Sequence, residues 1–503
     1  MQIIEVKNMI KMSPVRSAAL VLALAIPQVA TGQTVPSRES VSAIGNEAVK
    51  TAHQGTYGGV KLRYTATVEA IPIAISSGAT ADIVSFAYTR DGVDVSRRPV
   101  IFLFNGGPIV PSPYVHIGGL GPKRVAFPDD VKAAPETFKL VDNSYSPVDA
   151  ADLVFIDPAS TGFSRVTGGT KASDFFSNVA DAAQFIAFIK AWQIKHGRQR
   201  SPVYLFGESY GTHRAAEIAK QTAEDPAPIP LKGIFLYGQA VNVVEWSQRP
   251  ANITSYVASL PTIAATAWFH GKIDRKGRSI EEFIAEATSW AKGCYLAALY
   301  QGSALGETER RDIAVRLEEY SGIPADWYLA NDLKITKERY RLELFKTEKL
   351  LLGRQDARYT APVTDKGGAI DPAEVLGDSI IASFQQYMRS DLKVADPDKY
   401  VSQSPVTGMT GWNWGAAAMG PFTDYPYYQG IAKLMAKDPE FHLTIGNGYF
   451  DTMTTLGGAE LLATQSGFDP KRVSVRFYDG GHMGYSVDAT ARKVADDIRK
   501  LAR

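Results

Sequence analysis

The stretch "PVYLFGESYGTHRAAEIAKQTAED", residues 202–225, decides the fold. Its apolar run ends at Phe206, a turn between two glycines carries Ser209, and a helical pattern follows. A strand, a sharp turn with small neighbours and a helix form the local structure that lifts a serine hydroxyl clear of a sheet. The stretch therefore predicts one strand–helix unit of a parallel sheet and makes Ser209 a candidate nucleophile.

Similar units recur on both sides of this stretch. Two alternating segments are typical of antiparallel strands, and a polar, glycine-rich segment before them, residues 33–60, is predicted to be loose. Further apolar runs each precede a turn, at residues 100–104, 153–156, 231–239, 441–451 and 472–478. Strands that alternate with helical patterns indicate an α/β protein with a doubly wound, mostly parallel sheet.

The hydrophobic pattern of the sequence changes after about residue 250. Amphipathic helical patterns with acidic starts and glycine ends replace the apolar strands. We therefore predict an α/β core in two parts, residues 33–250 and 406–503, with a helical cap insertion at residues 251–405.

The amino terminus is typical of an export signal. Basic residues precede the apolar run "AALVLALAIPQVA" at 18–30, and "ATG" at 30–32 is a small-x-small pattern. The run is too short for a membrane span, so residues 1–32 are predicted to be a signal peptide and the protein periplasmic or secreted. A buried amino-terminal helix is the alternative.

Composition excludes several classes of function. The formal net charge is +1, whereas a nucleic-acid-binding protein usually carries a strong basic excess. No stretch after the amino terminus approaches the length of a membrane helix. The single cysteine, Cys294, allows no intrachain disulfide and is predicted to be a buried helical thiol. We expect no nucleic acid, membrane, metal or cofactor to take part, and the oligomeric state stays open.

A serine nucleophile needs a base and an acid that orients the base. His482 follows a late strand in "YDGGHMGY", and Asp451 follows the strand before it in "GNGYFDT". The carboxyl ends of parallel strands meet at one edge of a sheet, so Ser209, Asp451 and His482 are predicted to converge there. The chain order Ser, Asp, His is that of the α/β-hydrolase fold.

The remaining candidates surround this predicted triad. The backbone N–H groups of Gly107 and Tyr210 are predicted to form an oxyanion hole, because both lie in turns at the carboxyl end of a strand. His213 is expected to pack, Asp157 to cap a turn, and His116 lies in a loop from which substrate contact stays open.

These motifs together resemble the bacterial branch of the serine carboxypeptidases. The resemblance runs from about residue 60 to the carboxyl terminus and depends most on two motifs taken together, N-G-G-P and G-E-S-Y-G. The motifs are "NGGP" at 105–108, "DLVFIDPASTGFSR" at 152–165, "GESYG" at 207–211, "GYFD" at 448–451 and "GHM" at 481–483. The resemblance implies the same triad and oxyanion hole, and it implies that Asn105 and Glu208 bind the terminal carboxylate of a peptide.

One three-residue segment and two single positions depart from the family pattern. Ile109, Val110 and Pro111 stand where the family usually has a glycine and small residues, so the loop beside the oxyanion hole is expected to be bulkier. The position of a second glutamate, which pairs with the first in eukaryotic members, aligns with Gly119. Leu103 stands where a tryptophan is familiar.

The sequence thus predicts an exported serine carboxypeptidase that acts on peptides or small esters through an acyl-enzyme intermediate. An esterase or acyltransferase with the same triad is the alternative, because of the altered loop and the missing glutamate. An inactive binding protein on the same scaffold is the second alternative.

Overall fold

The computed structural model describes residues 47–363, 371–415 and 427–503. The predicted signal peptide, residues 1–32, lies outside these residues. In the described part of the chain, no helix combines the length and hydrophobicity that crossing a bilayer requires.

Most strands of the described residues belong to one large sheet, and four others form two small antiparallel pairs. In chain order the strands are β1 (Val49–Tyr57), β2 (Val60–Ala74), β3 (Thr80–Arg90), β4 (Val100–Phe104), β5 (Lys123–Ala126), β6 (Lys139–Asp142), β7 (Asp152–Ile156), β8 (Arg165–Thr167), β9 (Val203–Glu208), β10 (Leu231–Tyr237), β11 (Leu350–Leu352), β12 (Thr360–Pro362), β13 (His442–Gly448) and β14 (Val473–Tyr478).

The order of the large sheet is β1-β2-β3-β7-β4-β9-β10-β13-β14, with β8 paired to β3. The three amino-terminal strands are antiparallel, and the six strands from β7 to β14 along this order are parallel to one another. This is the α/β-hydrolase order, in which the parallel part carries all the strands that end at the predicted site. The predicted fold class is confirmed.

Helices cover both faces of the sheet, and further helices form the region that the sequence predicts to be a cap. In chain order they are α1 (Pro113–Val115), α2 (Asn178–Lys195), α3 (Tyr210–Glu224), α4 (Val243–Trp246), α5 (Ile253–Phe269), α6 (Ile280–Trp290), α7 (Leu296–Gln301), α8 (Glu307–Ser321), α9 (Ala325–Ala330), α10 (Lys337–Glu343), α11 (Glu374–Ser390), α12 (Tyr427–Lys437), α13 (Leu456–Gln465) and α14 (Asp488–Leu501).

Alternation along the buried strands explains the double winding. In β4, Ile101 and Leu103 join one apolar cluster, whereas Phe102 and Phe104 join the cluster on the opposite face. Successive side chains of a strand point to opposite faces, so a fully apolar run must be covered on both sides. One face packs against α2, α3, α12 and α13, and the other packs against α11 and α14.

The cap has an apolar cluster of its own. Helices α5, α6, α8, α9 and α10 contribute most of it, including Ile263, Phe283 and Leu317. Helix α11 differs, because Ile380 and Phe384 join the cluster on the sheet. The predicted cap at residues 251–405 therefore includes one helix that packs with the core.

Two local predictions are wrong. Residues 49–57 of the supposedly loose lead-in form the edge strand β1, whose nine residues pair with β2. Cys294 is exposed, because it lies in a π-helical turn, Ala291–Tyr295, whose buried side chains are Ala291 and Tyr295.

Candidate active site

Ser209 occupies a strained turn between β9 and α3. Its backbone has φ 59° and ψ −126°, a conformation that non-glycine residues rarely adopt. Its N–H donates to the carbonyl oxygen of Tyr237, 2.9 Å away. A Cβ at Gly207 would lie 2.4 Å from the carbonyl oxygen of Gly211, so this turn requires glycine there. The predicted sharp elbow at the carboxyl end of β9 is present.

Asp451 and His482 form a buried hydrogen-bonded pair. His482 Nδ1 lies 2.7 Å from Asp451 Oδ2, and both side chains are buried. The Asp451 carboxylate also accepts from the backbone N–H of Met453 and of Thr454 and from the Thr454 hydroxyl. These donors fix the carboxylate in the orientation that binds the imidazole N–H.

Two opposing effects set the pKa of His482. Burial alone would lower its pKa, but the Asp451 carboxylate more than offsets burial, and the pKa of His482 is raised above its ordinary value. Its Nε2 has no hydrogen-bond partner among the described residues. The structure therefore brings Asp451 and His482 together but contains no hydrogen bond from Ser209 to His482.

Gly238 connects the serine turn with the imidazole. It follows Tyr237, whose carbonyl binds the Ser209 N–H, and a Cβ at Gly238 would lie 3.0 Å from His482 and 3.5 Å from Asp451 Oδ2. Ser209, Asp451 and His482 thus all follow the carboxyl ends of parallel strands, at the same edge of the sheet. Their catalytic roles stay a prediction.

The loop after β4 lies directly against the serine turn. A Cβ at Gly106 would lie 2.5 Å from the backbone nitrogen of Tyr210, and Gly107 has φ 111°. Neither the Gly107 N–H nor the Tyr210 N–H donates to an acceptor in the described part of the chain. Two free N–H groups on touching turns suit an oxyanion hole, and this role also stays a prediction.

Two bulky residues of this loop, Ile109 and Val110, lie in different surroundings. Ile109 is fully buried, with φ 52°, and packs with Tyr210, Val406 and Trp412. Val110 instead lies over Gly107, because its Cγ2 would be 2.6 Å from a Cβ at that position. The extra bulk beside the predicted oxyanion hole therefore comes from Val110, while Ile109 anchors the loop.

Asn105 and Glu208 are hydrogen-bonded to each other and are buried. Asn105 Nδ2 donates to Glu208 Oε2 at 2.7 Å, and Asn105 Oδ1 accepts from the Val115 N–H. Burial raises the pKa of Glu208 to about 7, although positive charge on His482 and the donors around the carboxyl oppose the shift. The predicted carboxylate-binding residues are therefore adjacent, and Glu208 changes protonation near neutral pH.

Sequence reasoning missed two residues that hold this arrangement in place. The Tyr485 hydroxyl donates to Glu208 Oε2 at 2.6 Å. Arg214 donates to the Asn105 carbonyl oxygen at 2.6 Å and pairs with the fully buried Asp181 at 2.8 Å. Arg214 belongs to the quoted stretch, and an arginine on a buried helix face was the available signal. Tyr485 gave none, because its partner is distant in sequence.

Other histidines and acids of the sequence have structural roles. His116 is fully buried, bonds the Tyr88 hydroxyl and stacks on Phe155, so the substrate contact left open for it is wrong. His213 packs against aromatic rings, as predicted, and burial lowers its pKa to about 3. Asp157 accepts from the Ser112 N–H and the Tyr400 hydroxyl.

An open depression exists at the opposite, amino-terminal edge of the sheet. Lys232, His442 and Arg476 are among its lining residues, and it contains none of the predicted site residues. In α/β sheets the ligand site lies at the carboxyl ends of the strands, so this depression is not the candidate active site.

Comparison with known proteins confirms the resemblance read from the motifs. The model of the serine carboxypeptidase family matches residues 85–300. A serine-type carboxypeptidase F from Aspergillus niger is 28% identical over 126 residues, which cover 24% of this chain and 23% of that protein. The chain therefore spans about a quarter of this relative's length, and the family match includes Ser209 but neither Asp451 nor His482.

Solved structures with the same kind of fold also resemble the chain. They include a haloalkane dehalogenase variant from Bradyrhizobium elkanii, with 12% identity, 90% of this chain and 97% of that chain covered, and a TM-score of 0.33. A putative hydrolase from Agrobacterium vitis has 12% identity, covers 87% and 99%, and has a TM-score of 0.35. The fold assignment rests on the strand order, and the family match supports a serine hydrolase.

Proposed function

We propose that the chain is a serine carboxypeptidase that releases the carboxyl-terminal residue of a peptide. One observation carries the proposal: the Asp451–His482 pair lies at the sheet edge that also holds the strained Ser209 turn. The family match to residues 85–300 supports peptide chemistry over other uses of the fold.

Acylation begins when the Ser209 hydroxyl attacks the carbonyl carbon of the last peptide bond. His482 Nε2, which has no partner among the described residues, takes the hydroxyl proton, and Asp451 stabilises the resulting imidazolium. The N–H groups of Gly107 and Tyr210 donate to the negative oxygen of the tetrahedral intermediate. Collapse breaks the C–N bond, and His482 returns the proton to the departing amine.

Deacylation repeats these steps with water. His482 removes a proton from water, the hydroxide attacks the ester carbon on Ser209, and the same N–H groups stabilise the second intermediate. Breaking the C–O bond returns the proton to Ser209 and releases the shortened peptide as an acid.

Recognition of the free carboxylate is assigned to Glu208 and Asn105. A glutamic acid donates a hydrogen bond to a carboxylate only when it is protonated, and burial of Glu208 favours that state up to a pH of about 7. Both groups are nevertheless bonded to protein partners, and this observation favours the second candidate, an esterase with the same triad.

Blocked dipeptides distinguish the two candidates. We expect kcat/KM for a dipeptide with a free carboxyl terminus to exceed that for its amide by at least about tenfold at pH 6. The free carboxylate accepts one charge-assisted hydrogen bond that the amide does not. Ser209→Ala is expected to remove turnover of both substrates while the protein stays folded. Equal rates for acid and amide would favour the esterase, and retained turnover in Ser209→Ala would contradict the nucleophile.

Export remains a proposal of its own. The apolar run at 18–30 and the small residues at 30–32 favour cleavage before Gln33. Amino-terminal sequencing of protein recovered from the periplasm or medium of a bacterial host tests this cleavage site.

A further inference from the structure

The ring of Tyr485 fills the space beside Gly119. Gly119 lies in the π-helical turn His116–Leu120, and a Cβ there would lie 2.7 Å from the Cγ and Cδ2 atoms of Tyr485. Tyr485 is fully buried, so any side chain at position 119 would have to displace its ring. Glycine at this position and tyrosine at 485 therefore depend on each other.

The hydroxyl of the same tyrosine bonds Glu208, and it makes the two carboxyl oxygens of Glu208 unequal. Oε2 accepts from Tyr485 at 2.6 Å and from Asn105 Nδ2 at 2.7 Å. Oε1 accepts from no group in the described part of the chain. It is also not one of the described polar atoms that are fully enclosed and lack a hydrogen-bond partner. Because two donors occupy the lone pairs of Oε2, a proton on Glu208 must reside on Oε1.

We propose that Tyr485 is a positioning residue for substrate recognition: its hydroxyl fixes Glu208 so that Oε1 carries the acid proton and presents it to the terminal carboxylate of the peptide. In this arrangement the phenol orients the carboxyl group of Glu208 by a hydrogen bond. The inference rests on the proposed carboxypeptidase activity and names the device by which that activity selects a free carboxyl terminus.

Several groups face Glu208 and set the pH at which it titrates. Burial raises its pKa, as does the negative charge of Asp451; positive charge on His482 and the bonds from Tyr485 and Asn105 lower it. The hydroxyls of Tyr114 and Tyr237 are further neighbours that ionise only at high pH. Because the Tyr485 hydroxyl stabilises the carboxylate form, its removal raises the pKa of Glu208.

Tyr485→Phe tests the proposal, with Tyr478→Phe as the matched control. Tyr478 is a neighbouring buried tyrosine whose hydroxyl also donates to a carboxylate, that of Asp497, away from Glu208. The readout is kcat/KM between pH 5 and 9 for a blocked dipeptide and for its methyl ester. For Tyr485→Phe we expect the loss of acid-substrate turnover at high pH to move upward by about one pH unit. We also expect the preference for acid over ester at pH 5.5 to fall by about fivefold.

Two kinetic results would overturn the proposal, and they can be told apart. If wild type prefers the acid substrate and Tyr485→Phe behaves like Tyr478→Phe, Tyr485 has no positioning role, although the carboxypeptidase proposal stands. If wild type shows no preference for the free carboxylate, both proposals fail together.

A second variant and a second measurement keep the proposal testable if Tyr485→Phe does not fold. Gly119→Ala pushes a methyl group into the Tyr485 ring and is expected to shift the profile in the same direction. Infrared titration of the carboxyl band that Glu208→Gln removes follows the Glu208 proton without turnover. An unchanged band position and titration in both variants would overturn the proposal.

Discussion

Glu208 and His482 have opposite proton requirements for the proposed reaction. His482 must be neutral to accept the Ser209 proton, whereas Glu208 must be protonated to bind a carboxylate. Burial raises the pKa of Glu208 to about 7, and the pKa of His482 is raised because Asp451 more than offsets its burial. The two groups also influence each other, so the protons leave the pair in two macroscopic steps.

This coupling predicts different pH profiles for two substrates. For a dipeptide with a free carboxylate, kcat/KM is expected to be bell-shaped, since only the pair with one proton, located on Glu208, is active. For the corresponding ester, kcat/KM should rise as His482 loses its proton and then stay level, because no carboxylate needs a donor. Steady-state kinetics between pH 5 and 9 measure both profiles.

Glu208→Gln provides the control for that prediction. The glutamine amide donates at every pH, so the decline of the acid substrate at high pH should disappear while the rise at low pH remains. A decline that persists in Glu208→Gln would assign it to another group and contradict the role of Glu208.

At the scale of elements, the site depends on the contact between two turns. The loop after β4 touches the start of α3, and Arg214 ties them by donating to the Asn105 carbonyl oxygen while pairing with Asp181 on α2. The predicted cap region also contacts the site, since the backbone N–H of His482 donates to the carbonyl oxygen of Gln355 at 2.6 Å. These bonds join separate elements into one rigid support for the predicted oxyanion hole.

Gly106→Ala tests the contact between the turns. Its methyl group would lie 2.5 Å from the Tyr210 nitrogen and 2.7 Å from the Glu208 carbonyl oxygen. Both are backbone atoms, so relieving the clash requires a shift of the whole turn. We expect kcat to fall by about a hundredfold or more, the cost of losing one oxyanion donor. Ester hydrolysis measures the fall, and circular dichroism checks the fold.

Gly293→Ala is the matched glycine control. Apart from its chain neighbours and the backbone of its own helix, no atom of the described residues lies within 4 Å of a Cβ at this exposed position, so activity should stay within about twofold of wild type. A Gly106→Ala enzyme as active as Gly293→Ala would contradict the tight contact between the two turns.

At the scale of the whole molecule, the parallel core could be predicted because its strands have recognisable local sequence patterns. The runs Val100–Phe104 and Val203–Phe206 are apolar throughout and end at glycine turns, since parallel strands are buried on both faces. The candidate site residues could be selected for the same reason. Each of them lies at the end of a predicted strand or in the turn that follows it, and topology then brings the ends of the strands to one edge.

Features that depend on distant partners could not be predicted. Strand β1 is polar and alternates, and it becomes a strand through its pairing with β2. His116 lies in a glycine-rich segment that looks like a surface loop, but a ring from β7 and a hydroxyl from β3 enclose it. The contact between Gly119 and Tyr485 joins positions 366 residues apart in the chain, and no local pattern encodes it.

Ser209 is proposed to react because His482, oriented by Asp451, accepts its proton at the same edge of the sheet. The most direct measurement is the rate of labelling by a fluorophosphonate, with the modified residue identified by peptide mass spectrometry. We expect one label per chain, on Ser209, and a rate that falls by at least about a thousandfold in His482→Ala. A folded protein that takes up no label, or that carries it on another residue, would exclude Ser209 as the nucleophile.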